Sequence, residues 1–282
     1  MRIEEGHIDS GDGTRLYTRT WWPDGRARGA LVLVHGAGEH CGRYEHVAAR
    51  LTGAGFTVFG FDLRGHGRSA GRRGHVNSFD EYVDDARAAT ARARTAVADG
   101  PLFLYGHSMG GLIATLTAAR DPAPYRGMVI TSPLFAAAVP VPPLLRAVAS
   151  VLNVVYPTIG FKSGIPSTYL SHDAGVGQAY DADPLVGHTV TPRWFFAMNR
   201  ACAEAWEEAP GITLPVLVMQ AGDDHLVSAE RTRQVFDRLP GPDKTFRLFD
   251  GFYHELHNEV QKEQALDMIV NWLVEHTRGE GD

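Results

Sequence analysis

The stretch from Leu102 to Leu112, LFLYGHSMGGL, constrains the fold more than any other part of the chain. Its apolar start predicts a buried strand, and its apolar, helix-favouring end predicts a helix. A G-x-S-x-G sequence at such a junction is typical of a nucleophile elbow, a strained turn that lifts the serine hydroxyl clear of the sheet. A Cβ at Gly106 or Gly110 would collide where strand and helix approach. Ser108 is therefore the predicted nucleophile.

Short, continuously apolar runs alternate with helical segments along most of the chain. The runs are Ala30–Val34, Thr57–Leu63, Leu102–Tyr105, Gly127–Thr131, Pro215–Gln220 and Thr245–Phe249. Unbroken apolar strands separated by helices predict an α/β fold with a mostly parallel central sheet and helices on both faces. A helical apolar stripe from Leu256 to Leu273 predicts the final helix.

One segment, residues 136–210, interrupts this alternation. It has proline-rich apolar pieces, glycine-rich turns and several aromatic residues, but no buried-strand run. Because open α/β sheets bind ligands at the carboxyl ends of their strands, an insertion between two strands is placed to cover those ends. The prediction is a core of residues 1–135 and 211–282 with a cap of residues 136–210.

The cap segment Pro142–Tyr156 predicts a helix that is apolar over most of its circumference. A contiguous apolar surface of this kind is unusual on a protein without a use for it. We expect it to make transient contact with lipid aggregates or a membrane surface and to admit an acyl chain.

Composition and charge exclude several classes of function. The net charge of −6 and the isoelectric point near 6.1 argue against nucleic acid as a partner. Two cysteines, Cys41 and Cys202, form neither a disulfide framework nor a zinc-type spacing. The first residues lack the apolar run of a secretory signal, and no segment is apolar for the roughly 18 residues that a membrane span needs. We expect a cytoplasmic protein with no metal ion and no organic cofactor.

A serine hydroxyl needs a base to take its proton, and the base needs a third group to orient it. After a serine elbow, the acid is expected beyond the next-to-last strand. Two aspartates follow Pro215–Gln220 there. Asp224 is favoured because it precedes an apolar residue, Val227, by three positions. Asp223 remains the alternative, with a turn-forming role for whichever of the two is not the acid.

The base is expected beyond the last strand, and two histidines lie there. His254 follows a glycine turn and precedes the last helix, whereas His257 lies farther toward that helix. Position and chain order favour His254.

Two backbone N–H groups must face the oxygen on which charge develops during ester cleavage. Met109, directly after the serine, supplies one of them. Ala37, in the glycine-rich turn His35–Gly38, supplies the other. His35 and His107 are expected to hold these turns in place.

Six motifs together resemble the monoacylglycerol lipases, which belong to the serine aminopeptidase and lysophospholipase-like group of the α/β-hydrolase superfamily. They are HGAGEHCGRY (35–44), FDLRGHGRS (61–69), GHSMGG (106–111), DPL (183–185), GDDHLV (222–227) and YHELHNE (253–259). The match spans nearly the whole chain. It is most specific in the first motif and weakest in the cap.

The resemblance implies an α/β-hydrolase fold and supports the same triad and oxyanion hole. The residues concerned are Ser108, Asp224 and His254, with Ala37 and Met109.

The resemblance also implies a polar recess for a glycerol head group. Glu39, Arg43 and His257 match family positions there, and Tyr180 is a further contact. From the residues alone, Glu39 and Arg43 predict a salt bridge within a loop, and both roles are compatible.

These observations predict a serine esterase that hydrolyses monoacylglycerols to glycerol and a fatty acid through an acyl-enzyme on Ser108. A lysophospholipase or a broad carboxylesterase is the alternative, and the net negative charge disfavours an anionic phospholipid head group. An acyltransferase and a non-catalytic binding protein are less favoured, because the chain has a candidate for every role in hydrolysis.

Overall fold

The computed structural model describes residues 1–97, 100–139 and 141–277. Residue 140 of the predicted cap and residues 98–99 and 278–282 of the predicted core therefore lie outside the described residues. The strands are β1 (Arg2–Asp9), β2 (Arg15–Trp22), β3 (Gly29–Val34), β4 (Phe56–Phe61), β5 (Leu102–His107), β6 (Gly127–Thr131), β7 (Phe161–Lys162), β8 (Thr189–Val190), β9 (Val216–Ala221) and β10 (Lys244–Phe249). The helices are α1 (Glu45–Gly53), α2 (Asp80–Val97), α3 (Met109–Arg120), α4 (Pro143–Val155), α5 (Ala174–Ala182), α6 (Pro192–Glu208), α7 (Ala229–Arg238) and α8 (Glu263–Thr277).

Eight of the described strands form one sheet in the order β1-β2-β4-β3-β5-β6-β9-β10. Strand β2 is antiparallel to both of its neighbours, and all other adjacent pairs are parallel. The predicted mostly parallel sheet is therefore confirmed. Because parallel neighbours place their carboxyl ends at one edge, the loops after β3, β5, β9 and β10 meet there.

Side chains of the central strands divide between two hydrophobic cores, one on each face of the sheet. In β3, Ala30, Val32 and Val34 pack with α2, α3, α6 and α7, whereas Leu31 and Leu33 pack with α1 and α8. Successive residues of a strand point to opposite faces, so a strand covered on both sides must be apolar at every position. This explains the continuous apolar runs of the sequence.

The elbow at the end of β5 has the geometry that its glycines predict. Ser108 has φ 55° and ψ −119°, a backbone conformation that non-glycine residues rarely adopt. A Cβ on Gly106 would collide with the carbonyl of Gly110, and a Cβ on Gly110 would collide with the carbonyl of Val34. The predicted steric requirement for glycine at both positions is confirmed.

The insertion between β6 and β9 contains only two strands among its described residues, the two-residue pair β7 and β8. Helix α4 buries no residue. Helix α5 contributes Tyr180 to a small separate hydrophobic cluster with Leu170 and Val186. Helix α6 differs, because Trp194, Met198 and Ala201 are buried in the same core as α2 and α3. The last helix of the insertion therefore completes the helical layer on that face.

The predicted start of the final helix is wrong. Helix α8 begins at Glu263, and Leu256 lies in a separate 3₁₀ turn, Leu256–Asn258. Glu259 separates the two, because its carboxylate accepts the backbone N–H groups of Tyr253 and Val260 at 2.7 and 3.0 Å. Leu256 is fully buried and has the spacing of the apolar stripe of α8, which explains why the sequence pattern included it in that helix. None of the helices within the described ranges is long and apolar enough to cross a lipid bilayer.

Gly110→Ala is expected to destabilise the protein by about 1–3 kcal/mol, because the added methyl must displace the carbonyl of Val34. Gly53→Ala is the matched control: it places a methyl in open space at the end of α1 and should be neutral or stabilise by up to about 1 kcal/mol. Urea unfolding measures both. Equal midpoints for Gly110→Ala and the parent protein would contradict the steric explanation.

Candidate active site

Ser108 is held at the tip of the elbow by its backbone. Its N–H donates to the carbonyl of Thr131 at 3.0 Å, and its carbonyl accepts the N–H of Leu134 at 2.9 Å. These bonds tie the elbow to the end of the neighbouring strand β6. They leave the side chain partly exposed at the carboxyl edge of the sheet.

The structure brings Asp224 and His254 together across the ends of β9 and β10. Nδ1 of His254 lies 2.8 Å from a carboxylate oxygen of Asp224, and both side chains are buried. The same carboxylate accepts the backbone N–H groups of Leu226 and Val227 at 2.9 and 3.0 Å and the side-chain amide of Gln220 at 3.2 Å. These three hydrogen bonds hold the carboxylate of Asp224 in its orientation toward the imidazole.

Charge and burial act in opposite directions on this pair. Burial alone would lower the pKa of His254, but the Asp224 carboxylate and its hydrogen bond outweigh burial and raise that pKa above its usual value near 6.5. Burial would likewise raise the pKa of Asp224, but His254 and the two backbone N–H groups lower it. Because Asp224 accepts from Nδ1, the neutral ring presents Nε2 as its proton acceptor.

The two alternative candidates, Asp223 for the acid and His257 for the base, do not contact each other or the Asp224–His254 pair through any hydrogen bond among the described residues. The side chain of Asp223 is 55% exposed and lies 3.4 Å from Nε2 of His225. His257 is buried in the 3₁₀ turn, where its ring stacks on Tyr44 at 4.7 Å between centroids. Burial and the nearby ring of His107 hold the pKa of His257 well below its usual value, so it stays neutral.

His107 connects the elbow to the Asp–His pair. Its ring lies 4.8 Å from the ring of His254 between centroids, which places the residue before Ser108 against the candidate base. Nδ1 of His107 lies 3.1 Å from the hydroxyl of Thr131. Burial and the neighbouring His254 lower the pKa of His107 to about 3, so it acts as a neutral brace.

The turn after β3 passes directly over Ser108. A Cβ on Gly36 would lie 3.2 Å from Cβ of Ser108. His35 holds this turn, since Nδ1 lies 2.8 Å from the carbonyl of Gly36 and Nε2 accepts the N–H of Leu63 at 3.0 Å. The predicted bracing roles of His35 and His107 are confirmed.

Two backbone N–H groups remain available at this point. Within the described part of the chain, neither the N–H of Ala37 nor that of Met109 donates a hydrogen bond. Gly38 carries the turn away from Ala37 at φ +77°, and its carbonyl accepts the N–H of Gly187 from the insertion at 2.6 Å. The turn and the insertion are therefore joined beside the candidate oxyanion hole.

The predicted Glu39–Arg43 salt bridge is present, with 2.6 Å between Nη1 of Arg43 and the carboxylate. Arg43 also makes a bidentate pair with Glu255, at 2.6 and 2.8 Å. The guanidinium carbon of Arg43 lies 5.0 Å from the centre of the Tyr180 ring. Glu39, Arg43 and Tyr180 thus lie together, and His257 reaches the same region through its contact with Tyr44.

Sequence reasoning missed two residues of this site. Gln220, which orients Asp224, is a polar residue in an otherwise apolar strand, and that contrast was available as a signal. Glu255 is a carboxylate directly after His254, but its partner Arg43 is 212 positions away. Only the folded chain shows that the two meet.

A serine elbow on a central parallel strand, with a hydrogen-bonded Asp–His pair beyond the last two strands, defines an α/β-hydrolase. The profile of the family described as serine aminopeptidase, S33, matches residues 25–261. The chain belongs to this family.

Named relatives agree with this assignment. The chain is 37% identical to a monoacylglycerol lipase of Mycolicibacterium smegmatis over 265 residues, 94% of each protein. It is 34% identical to the phospholipase YtpA of Bacillus subtilis over 249 residues, 87% of this chain and 95% of that protein. The crystal structure of a monoacylglycerol lipase from Paleococcus ferrophilus superposes with a TM-score of 0.84 at 34% identity, covering 93% of this chain and 99% of that one. The predicted resemblance to monoacylglycerol lipases is confirmed.

Asp224→Asn is expected to lower kcat by about 10⁴-fold, because an amide does not hold the imidazole in the tautomer that accepts the serine proton. Asp223→Asn is the matched control and should retain near-parental activity, since that side chain is exposed. Steady-state hydrolysis of a chromogenic ester measures both. The reverse order of activities would transfer the role of the acid to Asp223.

Proposed function

We propose that this protein is a serine esterase that hydrolyses monoacylglycerols to glycerol and free fatty acid. The observation that carries the proposal is the buried Asp224–His254 pair beside the elbow of Ser108. Relatives named as monoacylglycerol lipases, aligned over nearly the whole chain, support the substrate class.

In this mechanism, Nε2 of His254 accepts the proton of Ser108 as the hydroxyl attacks the ester carbonyl. The N–H groups of Ala37 and Met109 donate to the oxyanion that forms. The tetrahedral intermediate then collapses, and glycerol leaves with the proton from His254. Water repeats the sequence on the acyl-enzyme: His254 takes its proton, fatty acid departs, and the proton returns to Ser108. Asp224 stabilises the imidazolium in both halves.

The glycerol head group is proposed to bind beside Glu39, Arg43, Tyr180 and His257. The Tyr180 hydroxyl lies near the turn that carries Ala37, because a Cβ on Gly38 would lie 3.2 Å from it. Both ring nitrogens of His257 are buried and lack a hydrogen-bond partner among the described residues. Groups of this kind suit a neutral polyol, which both donates and accepts hydrogen bonds.

Residues 136–210 are proposed to act as the cap over this site. Helix α4 exposes most of its apolar side chains, among them Leu144 at 79%, Val151 at 63% and Val154 at 80%. An apolar face of this size supports transient contact with lipid aggregates or a membrane surface.

Cys41 and Cys202 are both buried and unpaired, which fits the reducing conditions of the cytoplasm.

A lysophospholipase is the second candidate, and the relation to the phospholipase of Bacillus subtilis favours it. The electrostatics of the proposed head-group site argue against it. Arg43 is its one buried cation among the described residues, and two carboxylates, Glu39 and Glu255, already pair with that cation. An anionic phosphate would therefore compete with two carboxylates for the guanidinium of Arg43.

Ser108→Ala is expected to lower kcat by about 10⁴-fold or more and to abolish labelling by a fluorophosphonate, because Ser108 is the residue proposed to carry the acyl group. A panel of monoacylglycerols, diacylglycerols, lysophospholipids and short esters should show the highest kcat/KM for monoacylglycerols. Substantial turnover by Ser108→Ala would disprove the serine mechanism. A preference for lysophospholipids would select the second candidate.

Leu145→Asp and Val151→Asp should each weaken binding to phosphatidylcholine vesicles by about 10-fold or more, because each replaces an exposed apolar side chain of α4 by a charge. Ser150→Asp is the matched control on the same helix, as it adds the charge without removing an apolar group. Vesicle co-sedimentation measures binding, and turnover of a short soluble ester should be maintained throughout. Equal binding by all three variants and the parent would exclude α4 as the lipid contact.

A further inference from the structure

Glu255, the residue after His254, lies where three separate segments of the chain meet. Its carboxylate accepts Nη1 and Nη2 of Arg43 at 2.6 and 2.8 Å and the side-chain amide of Asn258 at 2.6 Å. Its backbone N–H donates to the carbonyl of Leu170, in the insertion, at 2.8 Å. Both carboxylate oxygens and the backbone N–H of Glu255 therefore have hydrogen-bond partners.

The hydrogen bonds continue from Glu255 to the candidate oxyanion hole. Arg43 pairs with Glu39, whose other carboxylate oxygen accepts the N–H of Gly36 at 2.6 Å and the hydroxyl of Tyr44 at 2.6 Å. Gly36 directly precedes Ala37. A continuous series of charged hydrogen bonds thus runs from the residue after the base to the residue before an oxyanion donor.

Burying these charged side chains costs free energy, so their contribution to stability alone does not explain the network. The side chains of Glu39 and Glu255 are 3% exposed and that of Arg43 is 11% exposed. Removing charged groups from water carries a large desolvation penalty. Replacing such a buried group of ion pairs by apolar residues of similar size often leaves the stability of a fold unchanged or increases it. A bidentate guanidinium–carboxylate pair instead restricts distance and angle between two loops.

We propose that Glu255 is a positioning residue, which through Arg43 and Glu39 holds the loop of His254 and the turn of Ala37 at a set distance across Ser108. This inference rests on the proposed serine mechanism. The elbow positions Ser108 and the N–H of Met109, whereas the base and the N–H of Ala37 come from loops that follow other strands. The buried network joins those two loops through charged hydrogen bonds.

A positioning role differs from head-group recognition in its kinetics. The base and the oxyanion hole serve every ester, whereas a glycerol contact serves only glycerol esters. Loss of positioning should therefore lower kcat equally for a monoacylglycerol and for a p-nitrophenyl ester of the same acyl chain. Loss of recognition should raise KM for the monoacylglycerol alone.

Charge gives an independent readout. Burial lowers the pKa of His254, whereas the negative charges of Asp224, Glu255 and Glu39 raise it. The neutral ring of His107 lies 4.8 Å from the ring of His254 between centroids. Activity is lost as pH falls through the pKa of His254, because the protonated ring does not accept the serine proton. Removing the negative charge of Glu255 lowers that pKa, so the acid limb of the pH profile should move to lower pH.

The test is Glu255→Gln, assayed on both esters, with active sites counted by fluorophosphonate titration. We expect kcat per titrated site to fall by about 10- to 100-fold for both esters, KM to stay nearly constant, and the acid limb to shift to lower pH. Glu208→Gln is the matched control, since Glu208 makes a bidentate pair with Arg120 at 2.8 and 2.7 Å at the far end of α3. It should leave kcat and the pH profile unchanged.

Arg43→Lys tests the same network with the charge retained, because an ammonium does not reproduce the fork that joins both carboxylates. If Glu255→Gln does not fold, a similar kcat loss on both esters in Arg43→Lys supports the proposal. Parental kcat per titrated site in either folded variant would overturn it, as would a loss confined to KM for the monoacylglycerol. Failure of the fluorophosphonate to label Ser108 in the parent protein would instead refute the serine mechanism itself.

Discussion

The structure depends on one steric constraint, the lack of room for a Cβ on either side of the elbow. With glycine at 106 and 110, α3 starts against the end of β3, and the backbone of Ser108 is forced to φ 55°. The same close approach places the turn after β3 over the serine. This one steric constraint thus leaves the side chain of Ser108 partly exposed and brings a candidate oxyanion donor beside it.

Electrostatics then divides the buried histidines of the site into different roles. His254 alone contacts a buried carboxylate, and its pKa is raised, whereas burial lowers the pKa of His107 and His257. The chemical difference between the three lies in their partners, because all are buried. The raised pKa of His254 follows from one carboxylate, that of Asp224, at hydrogen-bond distance from its ring.

The sheet, the elbow and the order of Ser108, Asp224 and His254 were predictable because each depends on local pattern. Apolar runs reflect strands covered on both faces, and glycines mark turns that exclude side chains. The start of α8 was not predictable in this way. Leu256 is buried at a helical spacing, and only the hydrogen bonds of Glu259 show that the chain leaves the helix there.

By itself the sequence determined the fold class, the candidate nucleophile and the short set of candidate partners, since these follow from residue types at fixed local spacings. Tertiary structure pairs Asp224 rather than Asp223 with His254, places His257 against Tyr44 instead, and joins Glu255 to Arg43 across 212 positions. These contacts depend on the distances between segments far apart in the chain and on how deeply each side chain is buried. Neither quantity is encoded in local spacing, because loops after different strands meet only when the sheet assembles.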